Sequence, residues 1–137
     1  MAFVLDASVT ACWAFQDEDH PDASLAFDRM RAEEGVAPGL WWFEVRNILV
    51  VNERRRRITE PGTAAFLSCL SRLRIRVDRV PDEGAVLRLA RTHRLSVYDA
   101  AYLELAQRER LPLATLDLDL QKAAACEGVA LVSGETG

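Results

Sequence analysis

The sequence predicts an α/β fold in which a short central parallel sheet lies between two layers of helices. Short apolar segments alternate along the chain with longer segments whose apolar residues recur at helical spacing. Parallel strands need crossover connections, and because these crossovers are right-handed, helices are expected on both faces of the sheet. No linker, repeat or low-complexity segment interrupts the pattern, so we expect one domain over residues 1–137.

The first part of the chain begins with apolar residues 3–5, which predict a buried strand that ends at Asp6. The small residues that follow predict a short helix over 7–15. Pro21 suits a first helical position, and apolar residues at i, i+3, i+4 and i+7 continue that helix until Gly35 ends it.

After Gly35 the same alternation continues along the chain. Apolar pairs, or apolar residues alternating with polar ones, predict strands, and apolar stripes with capping signals such as Thr59 predict helices. The expected strands lie at 36–37, 74–78, 113–115 and 129–132, and the expected helices run from 40 to about 56, after Thr59, from 81 to about 93, from 97 to about 108 and from 117 to 126.

Composition and charge exclude some classes of protein. No apolar run approaches the ~18 residues of a membrane-spanning helix, and Asp6 stands where a signal peptide would continue its apolar run. We therefore expect a soluble, cytosolic protein. The formal charge is −4, from 21 acidic and 17 basic residues. If four acids gather at one site, the remainder balance the basic residues, so net charge neither favours nor excludes a nucleic-acid partner.

The three cysteines, Cys12, Cys69 and Cys126, are far apart, and each falls within an apolar helical pattern. No close pair suggests a disulfide or a zinc site, so we expect reduced cysteines in the core. The only histidines are His20 and His93, which also argues against zinc. A metal bound to this chain should therefore be a hard cation held by oxygen.

Glu44 differs from the other acids on predicted helices. Such acids commonly have a basic residue three or four positions away, and we expect ordinary solvated pairs of Glu104 with Arg108 and of Asp119 with Lys122. Glu44 has no cation within a helical turn and lies in an apolar stretch. It must find hydrogen bonds or a metal, or lose its charge, unless it is simply an acid at the rim of the core.

Asp6, Asp99 and Asp117 each have a purely structural alternative. Asp6 and Asp117 follow predicted strands and could cap the next helices, and Asp99 is spaced from Ser96 as in a capping box. Their combination with Glu44 is more informative, because strand carboxyl ends and helix N-termini share one edge of a parallel sheet. We predict that the four acids meet at this edge.

Convergence of four carboxylates has an energetic consequence. Two carboxylates about 4 Å apart repel by roughly 4 kcal/mol at an effective dielectric constant near 20, and four would form several such pairs. A cation is therefore expected between them, and all-oxygen ligands select Mg²⁺ or Mn²⁺. Such an ion lowers the pKa of bound water and neutralises charge on a phosphodiester during in-line displacement.

With these acids in place, the chain resembles the PIN-domain nucleases, in particular the VapC-type toxins of bacterial toxin–antitoxin pairs. The segments that carry the resemblance occur in the family's order: Val4-Leu5-Asp6-Ala7-Ser8, Ala37-Pro38 leading to Glu44-Val45-Arg46-Asn47-Ile48-Leu49, Leu95-Ser96-Val97-Tyr98-Asp99-Ala100-Ala101-Tyr102, and Leu113-Ala114-Thr115-Leu116-Asp117 with Ala123-Ala124 and Gly128-Val129 after it.

The resemblance implies a PIN-like three-layer α/β/α fold and a Mg²⁺- or Mn²⁺-dependent endoribonuclease that hydrolyses RNA phosphodiesters through a metal-activated water. It also implies a small VapB-like antitoxin that covers the crevice, a homodimer of the toxin, and no membrane. The residues that match the family's four acids, and that would be both catalytic and metal-binding, are Asp6, Glu44, Asp99 and Asp117.

Three further residues accompany these acids. Ser8 matches a frequent active-site hydroxyl of the family and would orient a ligand or water. Asn47 lies one helical turn after Glu44 and is either its hydrogen-bond partner or an ordinary polar residue. Asp119 competes with Asp117 as the fourth acid, and we prefer Asp117 because it completes a Thr-x-Asp pattern and lacks a nearby cation.

The basic run Arg54–Arg57 and two tryptophans allow more than one interpretation. The arginines end the predicted helix from residue 40, where positive charge is favourable, and their alternative role is contact with the RNA backbone. Trp41 and Trp42 either stack on bases, form a dimer contact or pack in the core.

Two other functions fit part of the pattern. A phosphoacceptor receiver domain is also an α/β protein with clustered acids and Mg²⁺, but it needs a lysine at the end of a late strand, and the only lysine, Lys122, lies in a predicted helix. A non-catalytic PIN-like module that binds RNA or protein would keep the fold without the chemistry. The presence of all four acids argues against that module.

Overall fold

The computed structural model describes residues 1–15, 17–78 and 81–133 of the chain. Over these residues strands and helices alternate as the sequence predicts. The strands are β1 (Ala2–Leu5), β2 (Glu34–Pro38), β3 (Ile75–Asp78) and β4 (Leu113–Ala114). The helices are α1 (Ala7–Cys12), α2 (Pro21–Arg29), α3 (Leu40–Arg54), α4 (Glu60–Leu70), α5 (Glu83–His93), α6 (Val97–Glu109) and α7 (Leu118–Cys126).

The strands form one parallel sheet in the order β3-β2-β1-β4. The chain moves from β1 to β3 in one direction and then returns across the sheet to β4. Right-handed crossovers therefore place α1 to α4 on one face and α5 and α6 on the other, which confirms the predicted α/β architecture. The direction reverses between β1 and β4, so a crevice opens there at the carboxyl ends of the strands.

The core forms around β1, which lies inside the sheet. Phe3, Val4 and Leu5 are completely buried, as expected for a parallel strand covered on both faces. Helix α6 packs across β1, β2 and β4 and is buried over most of its length. A side-chain hydrogen bond joins the first layer of helices, because Trp41 Nε1 donates to Thr10 Oγ1 at 2.9 Å.

Three predicted elements differ from the structure. The helix predicted over 7–15 ends at Cys12. Gly35 does not end helix α2, which stops at Arg29, but lies inside β2. A Cβ atom at Gly35 would stand 3.3 Å from the Met30 sulfur, so the glycine serves close packing against the strand. Residues 129–132 do not form a regular strand within the described chain and contribute only a bridge between Leu131 and Leu113.

The cysteines are free, as predicted, but only Cys12 is in the core. Cys69 and Cys126 are exposed. On α4 the buried position is Leu70, and its neighbour Cys69 is turned about 100° away from it around the helix axis, toward solvent. The apolar periodicity therefore predicted the positions of the helices correctly, but it predicted burial for residues at the sides of the apolar stripes that are in fact exposed. No helix in the part of the chain that the structure describes has the length and apolarity needed to cross a membrane.

Glu104 was predicted to form a solvated pair and is instead buried. Its carboxylate accepts hydrogen bonds from Arg108 Nε at 2.7 Å and from the Asp82 backbone N–H at 3.1 Å. Arg108 also reaches Asp78 at the end of β3, with Nη2 2.7 Å from Oδ2. The guanidinium thus compensates a buried charge and ties α6 to the edge of the sheet.

We expect Arg108→Ala to lower the free energy of unfolding by about 2 kcal/mol, between the ~1 kcal/mol of an exposed pair and the 3–5 kcal/mol of a fully buried one, because it leaves Glu104 without its cation. Urea denaturation measures the change. The double variant Glu104→Gln/Arg108→Ala is the control, since a neutral amide needs no cation and should recover part of the stability. Equal destabilisation of the single and double variants would contradict this account.

Candidate active site

Asp6 lies where β1 ends and α1 begins, at the mouth of the crevice. Its backbone N–H donates to the Ala114 carbonyl at 3.0 Å, which places Asp6 beside the end of β4. The carboxylate caps α1, since Oδ1 accepts from the Ser8 N–H at 3.3 Å. Its residue exposure is only 6%. A helix N-terminus is favourable for a negative charge, which explains why an acid is tolerated at this burial.

Two hydroxyl groups hold the other oxygen of Asp6. Ser8 Oγ donates to Asp6 Oδ2 at 3.1 Å and accepts from the Leu116 N–H at 3.1 Å. Thr115 Oγ1 also donates to Asp6 Oδ2 and accepts from the Asp117 N–H at 3.1 Å. A hydroxyl carries one proton, so each proton is directed at Asp6 while the backbone N–H occupies the acceptor side. The β1–α1 turn is thereby fastened to the β4–α7 turn.

Thr115 is a site residue that the sequence analysis did not name. It is buried, and its partner Asp6 is 109 positions away in the chain. The signal that could have found it is the Thr-x-Asp spacing, which was used only to choose Asp117. Ser8 lies in the predicted place and touches Asp6, while its role toward a ligand or water stays a prediction.

Asp117 and Asp99 stand at the first turns of helices that begin at the same edge. Asp117 caps α7, with Oδ1 accepting from the Leu120 N–H at 3.0 Å. The cap of α6 is Ser96, whose Oγ accepts from the Asp99 N–H at 3.0 Å. Asp119 follows in the first turn of α7. Capping by Asp6 and Asp117 is therefore confirmed, and of the predicted Ser96–Asp99 capping box the Ser96 half is confirmed. Capping does not compete with convergence, because it is what places these acids at the helix starts.

Glu44 lies on α3 and is half-buried. The hydroxyl of Tyr102 on α6 donates to its Oε1 at 2.6 Å. Tyr102 is completely buried, and the sequence analysis missed it as a partner. Asn47 follows one turn after Glu44 with an exposed side chain, so its supporting role stays a prediction.

Burial and mutual repulsion raise the pKa values of three of these acids. Burial is the largest cause for Asp6, Glu44 and Asp99. Repulsion adds to it: Asp117 acts on Asp6, Asp6 and Asp99 act on Glu44, and Asp117, Asp6 and Asp119 act on Asp99. The fold therefore brings each of the four predicted acids within electrostatic range of at least two of the others, and Asp119 within range of Asp99.

Within residues 1–15, 17–78 and 81–133, no basic side chain forms an ion pair with any of the four acids. Carboxylate and hydroxyl oxygens are the donors that Mg²⁺ and Mn²⁺ prefer. The donor chemistry thus fits a hard divalent cation. The side chains as placed do not form a closed cage, because no three Asp, Glu, His or Cys side chains in the described ranges are arranged to hold an ion.

The basic run and the tryptophans separate into different environments. Arg57 pairs with Asp17 and Glu18 at 3.2 and 3.1 Å, so it fastens the loop after α1 and supports the fold. Arg54 to Arg56 are exposed at the end of α3. Trp41 is a core residue, whereas Trp42 is exposed, with the Arg46 guanidinium 4.0 Å from its ring centroid.

Comparisons with known proteins agree with this geometry. The family described as PIN domain matches residues 3–125. Among solved structures, PAE2754 from Pyrobaculum aerophilum is similar with a TM-score of 0.74 and 22% identity, covering 96% of this chain and 90% of that one. VapC20 from Mycobacterium tuberculosis, described as a Sarcin-Ricin loop cleaving toxin, has a TM-score of 0.60 and 15% identity, with coverage of 88% and 94%. FitAcB from Neisseria gonorrhoeae has a TM-score of 0.57 and 18% identity, with coverage of 98% of each chain. No curated protein sequence matches.

The raised pKa values predict how stability depends on pH. An acid whose pKa is higher in the folded state contributes stability that is complete below its ordinary pKa, about 4, and that is lost as the pH rises through the raised value. In EDTA, Asp99→Asn should therefore raise the melting temperature at pH 7 and raise it less as the pH falls toward 4, because protonation then removes the same charge from Asp99.

Thermal melts followed by circular dichroism between pH 4 and 8 measure this difference. Asp28→Asn, on the exposed side of α2, is the matched control for removal of one aspartate charge. A melting temperature for Asp99→Asn that falls equally at both ends of the pH range would show that the carboxylate stabilises the fold rather than straining it.

Proposed function

The chain belongs to the PIN domain family, and from this membership we propose that it is a divalent-metal-dependent endoribonuclease, the toxin of a type II toxin–antitoxin pair. The observation that carries the proposal is the set of four acids near the switch point between β1 and β4, in which Asp6 and Asp99 repel Glu44, and Asp117 repels Asp6 and Asp99. A fold keeps such a set when a cation or a charged reaction uses it.

In this proposal the residues that hold the cation are Asp6, Glu44, Asp99 and Asp117. When bound, Mg²⁺ or Mn²⁺ supplies charge neutralisation and Lewis acidity for phosphodiester hydrolysis. The chain's own contribution is alignment. Ser8 and Thr115 fix one carboxylate oxygen of Asp6, and the backbone of residues 116 and 117 fixes those hydroxyls in turn. Cation ligands held in this way need little reorganisation when substrate binds.

RNA is the proposed substrate. The similar fold of VapC20, described as a Sarcin-Ricin loop cleaving toxin, supports it. The exposed arginines Arg54, Arg55 and Arg56 supply positive charge at the end of the helix that carries Glu44. Because guanidinium groups bind phosphate in a fork, they are suited to the RNA backbone on either side of the cut.

An antitoxin and a second copy of the chain are the proposed partners, and the cytoplasm is the proposed compartment. Exposed apolar side chains stand next to the acids: Trp42 and Phe43 precede Glu44, Val97 lies two positions before Asp99, and Leu118 follows Asp117. Exposed apolar residues grouped around a functional site are typical of protein-binding surfaces.

Of the competing functions, the receiver domain is not supported, because Lys122 lies within α7 rather than at a strand end. The non-catalytic PIN module remains the alternative. It shares the fold, and it differs only in whether the acids perform chemistry.

Incubation of the purified protein with an RNA pool distinguishes the two. Cleavage is expected with Mg²⁺ or Mn²⁺ and not in EDTA. Asp6→Asn should lower the rate at least 100-fold, since even residues that only support a ligand commonly cost 10- to 100-fold. Asp28→Asn is the charge-matched control. Cleavage that persists in EDTA or in Asp6→Asn would refute the mechanism, and failure on every RNA tested would favour the binding module.

RNA binding by the basic run is tested in the Asp6→Asn background, which prevents cleavage. Replacement of Arg54, Arg55 and Arg56 by Gln, with Arg57 retained for folding, should reduce the slope of log K against log salt concentration by about 0.7 for each single-stranded phosphate that the arginines no longer neutralise. Fluorescence anisotropy at several salt concentrations measures the slope. Removing the same charge elsewhere, at the exposed Arg72, Arg74 and Arg91, should change it less. An unchanged slope in the first variant would exclude the run from RNA binding.

A further inference from the structure

Tyr102 makes an unusual contact for a core residue. It is the largest completely buried side chain of the described structure, yet its hydroxyl ends at the half-buried Glu44, with 2.6 Å between the hydroxyl oxygen and Oε1. It lies on α6 one turn after Asp99, and Glu44 lies on α3 in the opposite helix layer. The hydrogen bond therefore crosses the crevice from one helix layer to the other.

The direction of this hydrogen bond is determined by its acceptor. A neutral phenol has one proton and can also accept, whereas an ionised carboxylate has no proton and can only accept. The Tyr102 proton therefore points to Glu44 Oε1, so Tyr102 acts on Glu44 as a donor.

The consequence for Glu44 is that one carboxylate oxygen is held by a hydrogen bond, while the other can still bind a ligand. Glutamate has three side-chain torsions, and no ion pair with a basic residue of the described chain restricts those of Glu44. Tyr102 occupies Oε1, and no hydrogen bond to Oε2 is found within the described residues, while the charges of Asp6 and Asp99 act on the Glu44 carboxylate. Asp6 is also held by hydroxyl groups, which donate to its Oδ2, but its Oδ1 accepts from the Ser8 N–H as well.

We propose that Tyr102 is a positioning residue that orients Glu44 for a divalent cation. The proposal rests on the proposed function, because it presumes that Glu44 is a cation ligand. The alternative is a role in packing alone. In that case the aromatic ring would fill the core, and the hydroxyl would bond to Glu44 only because a buried hydroxyl requires a hydrogen-bond acceptor.

The first test compares Tyr102→Phe with Tyr98→Phe, the only other tyrosine and one that is exposed on the same helix. Both variants lose one hydroxyl. Isothermal titration with Mg²⁺ should show affinity reduced 10- to 100-fold in Tyr102→Phe and unchanged in Tyr98→Phe. In kinetics, the Mg²⁺ concentration for half-maximal rate should rise in Tyr102→Phe while the KM for RNA stays within twofold. A ring that only fills the core would leave both Mg²⁺ constants unchanged, because phenylalanine fills it equally well.

The second test needs no substitution at Tyr102 and so does not depend on a variant that folds. With two tyrosines in the chain, ring ¹³Cζ labelling gives two NMR signals, which Tyr98→Phe assigns. Addition of Mg²⁺ should move the Tyr102 signal, because the charge on its acceptor changes, and should leave the Tyr98 signal nearly in place. Glu44→Gln should abolish the movement.

The outcomes separate the two proposals. If wild-type protein binds Mg²⁺ and Glu44→Gln weakens binding, yet Tyr102→Phe binds normally or the Tyr102 signal does not move, the positioning role is overturned and the metal site stands. If wild-type protein binds neither Mg²⁺ nor Mn²⁺, or Glu44→Gln has no effect, the proposed metal site fails and the role of Tyr102 fails with it.

Discussion

The Asp6 carboxylate is almost completely buried, and hydrogen-bond donors surround it and stabilise its negative charge. The Ser8 backbone and the hydroxyls of Ser8 and Thr115 donate to its two oxygens. An ionised carboxylate without such donors would be costly to bury. These donors come from the turns after β1 and β4. The hydrogen bonds that stabilise the buried Asp6 carboxylate therefore also hold these two turns together at the switch point.

Capping and function use the same atoms in this fold. Asp6 and Asp117 cap the helices that follow their strands, and Ser96 caps the helix that begins just before Asp99. In a parallel α/β sheet every such helix starts at the carboxyl edge. Acids that stabilise the starts of these helices therefore lie together at that edge. The remaining acid, Glu44, comes from α3 and is held by Tyr102 across the crevice. The site is therefore built from ordinary helix starts joined by two long-range contacts.

Patterns within a few residues of each other predicted most of the elements. The alternation of apolar segments and helical stripes, together with Pro21 and Thr59, located the seven helices and the four sheet strands that the described part of the chain contains. The errors lie where local pattern and packing diverge. Gly35 is a helix terminator by composition but lies in β2 because Met30 packs against it, and Cys69 belongs to an apolar stripe but faces solvent.

The amino-acid sequence by itself determined the order of strands and helices and the positions of the acids at the starts of helices, because these depend on neighbours within one or two turns. The tertiary structure decided which groups hold those acids and how deeply they are buried. Thr115 reaches Asp6 across 109 positions and Tyr102 reaches Glu44 across 58. It also decided that Arg57, although exposed like its neighbours, pairs with Asp17 and Glu18 in the loop after α1. Hydrogen-bond partners and desolvation depend on residues that only folding brings together, so no local pattern contains them.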